Sequence, residues 1–289
     1  MRVLVTGASG QLGRALLAGL GPEAAWAGGR AELDVRDTRR VAELVAHVAP
    51  DVVINAAADN RVDAAEQEPE EALAVNALGP LNLARAAAQA GALLVHVSTD
   101  YVFDGEQDRP YDEADPPRPR SVYGLTKRAG ELAVSSSPGP WLLVRTSGVF
   151  GRGGSRGKGG SFVERILERA RGGAALRVVD DQTFAPTYAP DLAGALIALA
   201  RGGHRGLVHV TNGGECTWHG LARTALKMAG LHAPVERIRS EDLDAAARRP
   251  RYSVLSTRHY ESLGLPPLRP WKDALDEMLQ ATVREATRT

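Results

Sequence analysis

Tyr123 and Lys127, in Ser121-Val122-Tyr123-Gly124-Leu125-Thr126-Lys127, stand four residues apart, so on a helix they share one face. A neighbouring ammonium favours the phenolate. Lys127 is therefore expected to draw Tyr123 below its ordinary pKa of about 10, toward the range of a proton donor in carbonyl reduction. The spacing alone is common, and it gains meaning from Ser98-Thr99-Asp100, polar residues directly after the apolar run Leu93-Leu94-Val95-His96-Val97. At the carboxyl end of such a strand, Thr99 could donate to the carbonyl oxygen that Tyr123 protonates. Read plainly, Thr99 and Asp100 would be no more than loop hydrogen-bonders.

A second constellation is Thr6-Gly7-Ala8-Ser9-Gly10-Gln11-Leu12-Gly13, with glycines at three-residue spacing between a strand-like run and a helical one. Glycine lets the backbone turn sharply and approach a pyrophosphate, while the helix N-terminus offers free N–H groups and a partial positive charge. A ligand-free tight turn is the plain alternative. Dinucleotide-binding chains usually place an acid at the end of the second strand, but here that stretch reads Ala27-Gly28-Gly29-Arg30, with no carboxylate at the strand end. Arg30 suits a 2′-phosphate, so NADPH is expected over NADH; a solvated surface arginine is the duller reading. Asp34, in Leu33-Asp34-Val35, is placed either to accept from an adenine amino group or to cap the helix beginning at Thr38.

The elements that must hold these residues follow from the pattern. Short β-branched runs at 2–6, 24–27, 51–55, 93–97 and 141–145 alternate with helical patterns at 11–20, 38–49, 69–90 and 122–135. This alternation predicts an α/β fold, a Rossmann-type doubly wound parallel sheet whose carboxyl-end loops face one crevice. After Phe150 the texture changes. Gly151 to Ser161 is nearly all Gly, Arg, Ser and Lys, including Arg152, Arg156 and Lys158. It reads equally as a lid over a diphosphate or as a solvated loop. Residues 1–150 are thus expected to form the nucleotide-binding domain and 151–289 a smaller α/β substrate-binding domain, with segments of the two interleaved. His96 and His209, each in an apolar setting, read as core histidines.

Composition excludes several classes. The 289 residues include 35 Lys and Arg against 35 Asp and Glu, so no global charge favours nucleic acid or an anionic membrane. The single cysteine, Cys216, permits no internal disulfide and suits a reducing compartment. With no signal-like N-terminus and no apolar stretch of roughly 20 residues, a cytoplasmic location is expected. No spacing of His, Cys, Asp and Glu reads as a metal site.

Taken together these residues resemble the extended short-chain dehydrogenase/reductases, and most closely the dTDP-4-dehydrorhamnose reductase family. The likeness covers nearly the whole chain. It rests on the glycine motif, on Asp51-Val52-Val53-Ile54-Asn55-Ala56-Ala57-Ala58, on Val62-Asp63-Ala64-Ala65-Glu66, and on Val75-Asn76-Ala77-Leu78-Gly79-Pro80. It continues through Ser98-Thr99-Asp100-Tyr101-Val102-Phe103-Asp104-Gly105, Tyr123 with Lys127, Arg145-Thr146-Ser147, Val178-Val179-Asp180-Asp181-Gln182, Pro186-Thr187, and Arg249-Pro250 with Ser253 and Leu255.

The resemblance implies hydride delivery from a reduced nicotinamide to C4 of a nucleotide-linked 4-keto-6-deoxy sugar. By the same likeness Tyr123 is the acid, Lys127 binds the nicotinamide ribose, Thr99 polarises the ketone and Asp100 contacts the sugar. Gly7, Gly10, Gln11, Leu12 and Gly13 would lie at the pyrophosphate, Asp34 and Val35 at adenine, and Ala57, Ala58 and Asp59 along the dinucleotide. The implied partners are a nucleotide-sugar substrate and a second copy of the chain. The sequence departs from the family where a sugar-stacking Trp commonly follows Arg-Thr-Ser. Gly148 stands there instead, so the platform must come from elsewhere, with Phe150 or Phe184 as candidates. A second departure, Asp59-Asn60-Arg61, places charge near the cofactor. Arg248 and Arg249 read either as diphosphate ligands or as a turn paired with nearby acids.

Three neighbouring classes share parts of this pattern. A 4,6-dehydratase would carry Asp-Glu after the catalytic Thr, where this chain has Asp100-Tyr101. A nucleotide-sugar epimerase uses the same Tyr and Lys with tightly held NAD. From another class, the chain also resembles the regulatory β subunit of methionine adenosyltransferase, an NADP-binding partner rather than a catalyst.

Overall fold

In the computed structural model, which describes residues 1–154 and 160–286, the apolar runs of the first half lie side by side as parallel strands. They are β1 (Val3–Thr6), β2 (Ala24–Gly28), β3 (Val52–Asn55), β4 (Leu93–Thr99) and β5 (Trp141–Thr146). The later strands are β6 (Val149–Phe150), β7 (Leu176–Val179), β8 (Thr183–Phe184), β9 (Thr187–Tyr188), β10 (Gly206–His209), β11 (Cys216–Thr217) and β12 (Val235–Ile238). The helices are α1 (Gln11–Leu20), α2 (Thr38–Val48), α3 (Val62–Gln67), α4 (Pro69–Leu73), α5 (Gly79–Gln89), α6 (Val122–Ser135), α7 (Phe162–Arg171), α8 (Ala189–Arg201), α9 (Trp218–Met228), α10 (Arg258–Ser262) and α11 (Trp271–Ala286).

The large sheet has the order β10-β5-β4-β3-β1-β2. The chain winds outward from β1 in one direction to β2, then returns past β1 to continue through β3, β4 and β5. A crevice opens where the winding reverses, at the carboxyl ends of β1 and β3. Strand residues alternate between two cores, as the period of two requires. Val3, Val5, Val52, Ile54, Val95 and Val144 pack under α1 and α8 with Leu16, Leu192 and Leu196. Leu4, Val53, Leu94 and Leu143 pack on the other face, against Val41 and Val45 of α2, Leu83 of α5 and Val134 of α6.

Two local outcomes differ from the sequence expectations. Asp37, not Asp34, caps α2, accepting from the Arg40 N–H at 3.0 Å; Asp34 lies a turn too early. The helical pattern at 69–90 is broken by a π-helical turn over Ala74–Leu78, which lets the Asn76 amide reach the Asp59 backbone and the Thr126 hydroxyl at 2.9 and 3.1 Å. After residue 150 the chain contributes to two apolar clusters. Helix α8 and strand β10 complete the large sheet, and Tyr260 of α10 packs in the same core. A separate apolar cluster gathers Val163 and Ile166 of α7, Leu221 of α9 and Leu275 of α11 around β7, with Phe184. Ser161 and Glu164 form a capping box at the start of α7, while Arg156 and Lys158 lie outside the described residues. No helix among the described residues is long and apolar enough to cross a membrane.

Candidate active site

The glycine motif turns directly out of β1. Gly7 has φ +71°, and a Cβ there would lie 2.5 Å from the Ala57 backbone nitrogen, while one at Gly13 would lie 2.2 Å from the Gly7 carbonyl. Helix α1 starts at Gly10 with no side-chain cap and no acid in its first turn, whereas Asp37, Ser121, Ser161 and Thr217 cap α2, α6, α7 and α9. Its free N–H groups fit a diphosphate. The Gln11 side-chain nitrogen beside them is buried without a hydrogen-bond partner, and Leu12 packs into the core below. The residues present therefore fit a dinucleotide.

At the outer edge of this crevice the sequence reading needs correction. A carboxylate does stand at the end of β2. Glu32 folds back so that its Oε2 accepts from the Gly29 N–H at 2.7 Å, with the Ser9 hydroxyl beside Gly29. Arg30 is 66% exposed and pairs with Glu71 at 3.2 Å and with Asp34 at 3.8 Å, so its charge is already partly answered. The Asp34 carboxylate is gripped by the Arg36 guanidinium at 2.5 to 3.0 Å, which holds its pKa below the ordinary value. Val35 turns its side chain into the core beneath α5 rather than outward.

Beyond β3, Ala57 and Ala58 keep the crevice wall small. The Ala57 N–H is fixed by Asn55 Oδ1 at 3.1 Å, and Asn76 clasps the Asp59 backbone from both sides. The charge expected from Asp59-Asn60-Arg61 is self-neutralised, because Arg61 pairs with Asp59 at 2.6 Å and with Glu68 at 3.1 Å.

Tyr123 sits in the first turn of α6, which Ser121 caps through the Gly124 N–H. Its ring meets Tyr101 edge-on, with centroids 5.8 Å apart, and its hydroxyl reaches the Thr99 side chain at the end of β4. Lys127, one turn on, is 2% exposed and donates to the Val97 carbonyl at 2.7 Å. The expected downward pull on Tyr123 is not what the site shows. Burial, with the nearby Asp100 and Asp59 charges, pushes the phenol pKa above its ordinary value, and burial lowers Lys127 to about 8. The low-dielectric setting penalises both charged forms, and that outweighs their helical adjacency.

Asp100 is 3% exposed, and its carboxylate accepts from Thr99 at 3.0 Å, Ser147 at 2.7 Å and Ser253 at 2.6 Å. It thereby ties the ends of β4 and β5 to a segment far along the chain. Its pKa is raised by burial, with the three hydroxyls acting in the opposite direction. Because the Thr99 hydroxyl spends its proton on Asp100 while accepting from the Tyr101 N–H, it is not aimed as a donor to substrate in this arrangement. Gly148, at φ +48°, lies against the edge of Phe184. Phe184 in turn stacks on Trp218, at 4.1 Å between centroids. Asp100, Tyr101, Gly148, Phe184, Trp218 and Ser253 together line a cleft beside Tyr123.

A model of the RmlD substrate binding domain matches residues 1–284. The chain belongs to this family, that of the dTDP-4-dehydrorhamnose reductases. It is 44% identical to the dTDP-4-dehydrorhamnose reductase of Streptomyces griseus, over 99% of this chain and 96% of that protein. It is 39% identical to a dTDP-4-keto-6-deoxy-D-glucose reductase of Streptomyces niveus, covering 96% of each. The structure of the Bacillus anthracis dTDP-4-dehydrorhamnose reductase in complex with NADP superposes with a TM-score of 0.93 at 34% identity, over 97% of this chain and 99% of that one.

Of the two candidates for the platform missing at Gly148, Phe184 lies against that residue, and both Phe184 and Phe150 are buried in the smaller core at 3% and 1% exposure. Arg249 follows the duller of its two readings, pairing with both oxygens of Asp63 at 2.6 and 3.0 Å and bracing Tyr101; Arg248 is exposed. Burial pushes the Cys216 thiol up to about 12, away from reactivity. Sequence reasoning missed Glu32, Ser147, Ser253 and Trp218 as site residues. Ser147 and Ser253 had a signal, since both lie inside family-like motifs; Glu32 and Trp218 had none.

Proposed function

We propose that this protein is an NADPH-dependent reductase of the C4 ketone of dTDP-4-dehydro-L-rhamnose, giving dTDP-L-rhamnose. The observation that carries the reading is the meeting of Thr99, Tyr123 and Lys127 at the carboxyl end of β4, beside an uncapped helix N-terminus, in a chain of this family. A bound reduced nicotinamide supplies hydride to the carbonyl carbon.

Tyr123 supplies the proton to the ketone oxygen, and its raised pKa keeps it protonated until that oxygen becomes basic. Lys127, cationic below about pH 8, stabilises the phenolate left behind and has two further N–H groups for a ribose hydroxyl. Thr99 orients the phenol, and must turn its own proton from Asp100 before it can polarise the ketone. Asp100 holds this hydroxyl and those of Ser147 and Ser253 in register. Use of NADPH, with NADH as the second cofactor, is supported by the likeness to a reductase solved in complex with NADP.

A homodimer belongs to the same reading. Leu125 and Leu132 on one face of α6, with Leu73 and Leu78 on the neighbouring segment, are exposed at 43 to 58%, and sedimentation would report the mass.

The test is oxidation of NADPH, and separately NADH, by purified protein given freshly generated dTDP-4-dehydro-L-rhamnose. Turnover is expected, with Tyr123→Phe reducing kcat by about 10²–10⁴-fold while NADPH affinity is kept. Binding of NADPH without oxidation would instead favour a regulatory partner, and NAD retained through purification would favour an epimerase.

A further inference from the structure

Tyr123, Lys127 and Glu131 follow one another at four-residue spacing along one face of α6. Glu131 is fully buried, too deep to meet a substrate, and a buried carboxylate must be paired. Its partner is Arg145 of β5, also buried, whose Nε and one terminal nitrogen donate to the two Glu131 oxygens at 2.8 Å each. A second guanidinium, that of Arg128, donates at 2.8 Å. Burial acts to raise the Glu131 pKa, but the Arg145 hydrogen bonds outweigh it, so the group stays ionised with its pKa below the ordinary value. Arg145 is fixed in turn by the Phe103 ring, 5.0 Å from its guanidinium, and by His209 at 3.4 Å. Lys127, held by the Val97 carbonyl, therefore has an immobile negative charge one helical turn behind it.

The other ionisable groups packed around α6 are engaged elsewhere. On β4, His96 is kept neutral by burial and then by Lys127 itself, while Asp100, like Asp59 beyond β3, acts on Tyr123. On β10, His209 is neutral behind Arg145. Glu66 of α3 accepts from the Val122 N–H at 2.8 Å, Asp63 pairs with Arg249, and Glu71 of α4 pairs with Arg30 and Arg36. Glu70 and, on α5, Arg85 are exposed. Glu131 is the charge that opposes the effect of burial on Lys127. We infer that Glu131 is a positioning residue for the reduction, a fixed counter-charge that keeps Lys127 the ammonium on which Tyr123 and the nicotinamide ribose depend. This rests on the reductase reading for the role of Lys127. The physical basis is that a neutral residue at 131 would leave Arg145 and Lys127 as buried cations without a carboxylate beside them. A guanidinium does not give up its proton, so the lysine must. An uncharged Lys127 no longer stabilises the Tyr123 phenolate.

The experiment reads Lys127 directly by NMR of protein isotope-labelled at lysine Cε. The lysines of the chain are Lys127, Lys158, Lys227 and Lys272, so the Lys127 signal is identified by its loss in Lys127→Met. In the wild type it should titrate near pH 8. In Glu131→Gln the midpoint should fall by about 1–3 pH units, and the falling limb of kcat/KM for NADPH oxidation should move with it. Glu131→Asp, which keeps the charge, should shift both by less than half as far. Replacing the whole pair, Glu131→Met with Arg145→Met, guards against misfolding, because apolar residues of similar volume often replace a buried ion pair without loss of stability. Its Lys127 midpoint should again lie below that of the wild type. An unmoved midpoint in Glu131→Gln, or in the Met pair if the single variant does not fold, would overturn the assignment, as would a moved midpoint with an unmoved kinetic limb. A wild type whose Lys127 titrates under the control of Glu131 yet oxidises no NADPH would leave the counter-charge standing and sink the reductase reading instead.

Discussion

Replacing Gly148 by alanine should damage both stability and substrate affinity while leaving the reacting groups in place. The residue sits at φ +48°, where an L side chain costs about 1–2 kcal/mol. The new Cβ would lie 2.2 and 2.4 Å from two carbons of the Phe184 ring, against an ordinary carbon separation of roughly 3.5–4.0 Å, so the ring must retreat by more than an ångström. Phe184 cannot retreat freely, because it is buried at 3% exposure and already stacked on Trp218. Overpacking of this kind costs about 1–3 kcal/mol. The two effects together amount to about 2–5 kcal/mol, and at roughly 2–4 °C per kcal/mol for chains of this size the expected fall in Tm is on the order of 10 °C. Scanning calorimetry measures that loss. Steady-state kinetics should show KM for the keto sugar rising several-fold with kcat nearly constant, since Thr99, Tyr123 and Lys127 are not displaced. A Tm within about 2 °C of wild type together with an unchanged KM would refute the reasoning, because Phe184 could not then be filling that space.

Other outcomes follow from the same geometry. Burial lowers Lys127 to about 8 in the free protein, so kcat/KM should fall with rising pH from about that point; a plateau persisting beyond pH ~10 would show that Lys127 is not the titrating group. His209 is lowered to about 3, by burial first and then by the Arg145 guanidinium. It accepts from Arg145 at 3.4 Å through Nε2 and donates to the Tyr111 carbonyl at 3.1 Å through Nδ1, and this pairing requires the neutral ring. The unfolded chain therefore takes up this proton first, so the contribution is full above pH ~6.5 and is lost as pH falls toward 3. Urea unfolding should show about 3 kcal/mol less stability at pH 4.5 than at pH 7 from this group, a difference that His209→Gln should remove. At the crevice edge, Glu32→Gln should raise the ratio of kcat/KM for NADPH over NADH by a few-fold and Arg30→Ala should lower it; equal ratios in both variants would place the 2′-phosphate elsewhere.

Much of the fold was legible because its signals are local. The helix over 122–135 matches α6 at both ends, since Ser121 supplies the cap and the apolar face repeats at helical spacing. The first five strands were read to within two residues, because parallel strands buried on both faces are nearly continuous apolar runs. Where side chains act at a distance the reading failed. The single helix drawn over 69–90 hides a π turn whose reason is Asn76 reaching Asp59, and nothing local announces that contact. Charge was misjudged for the same reason: Arg61 looked like added charge until Asp59 and Glu68 closed on it, and β2 seemed to end without an acid until Glu32 folded back.

By itself the sequence determined the parallel α/β pattern of the sheet, the glycine turn out of β1 and the placement of Thr99, Tyr123 and Lys127 on their elements, because periodicity, turn chemistry and motif spacing are properties of neighbouring residues. Only the tertiary structure decided how those groups are tuned and what faces them. Burial moved Tyr123 and Lys127 away from the pKa values that their spacing suggested, since desolvation depends on everything packed around a group. Folding also brought Ser253 to Asp100 across 153 positions, and set Trp218 and Phe184 against Gly148. Such contacts are fixed by the closing of separate chain segments on one cleft, and no stretch of sequence contains them.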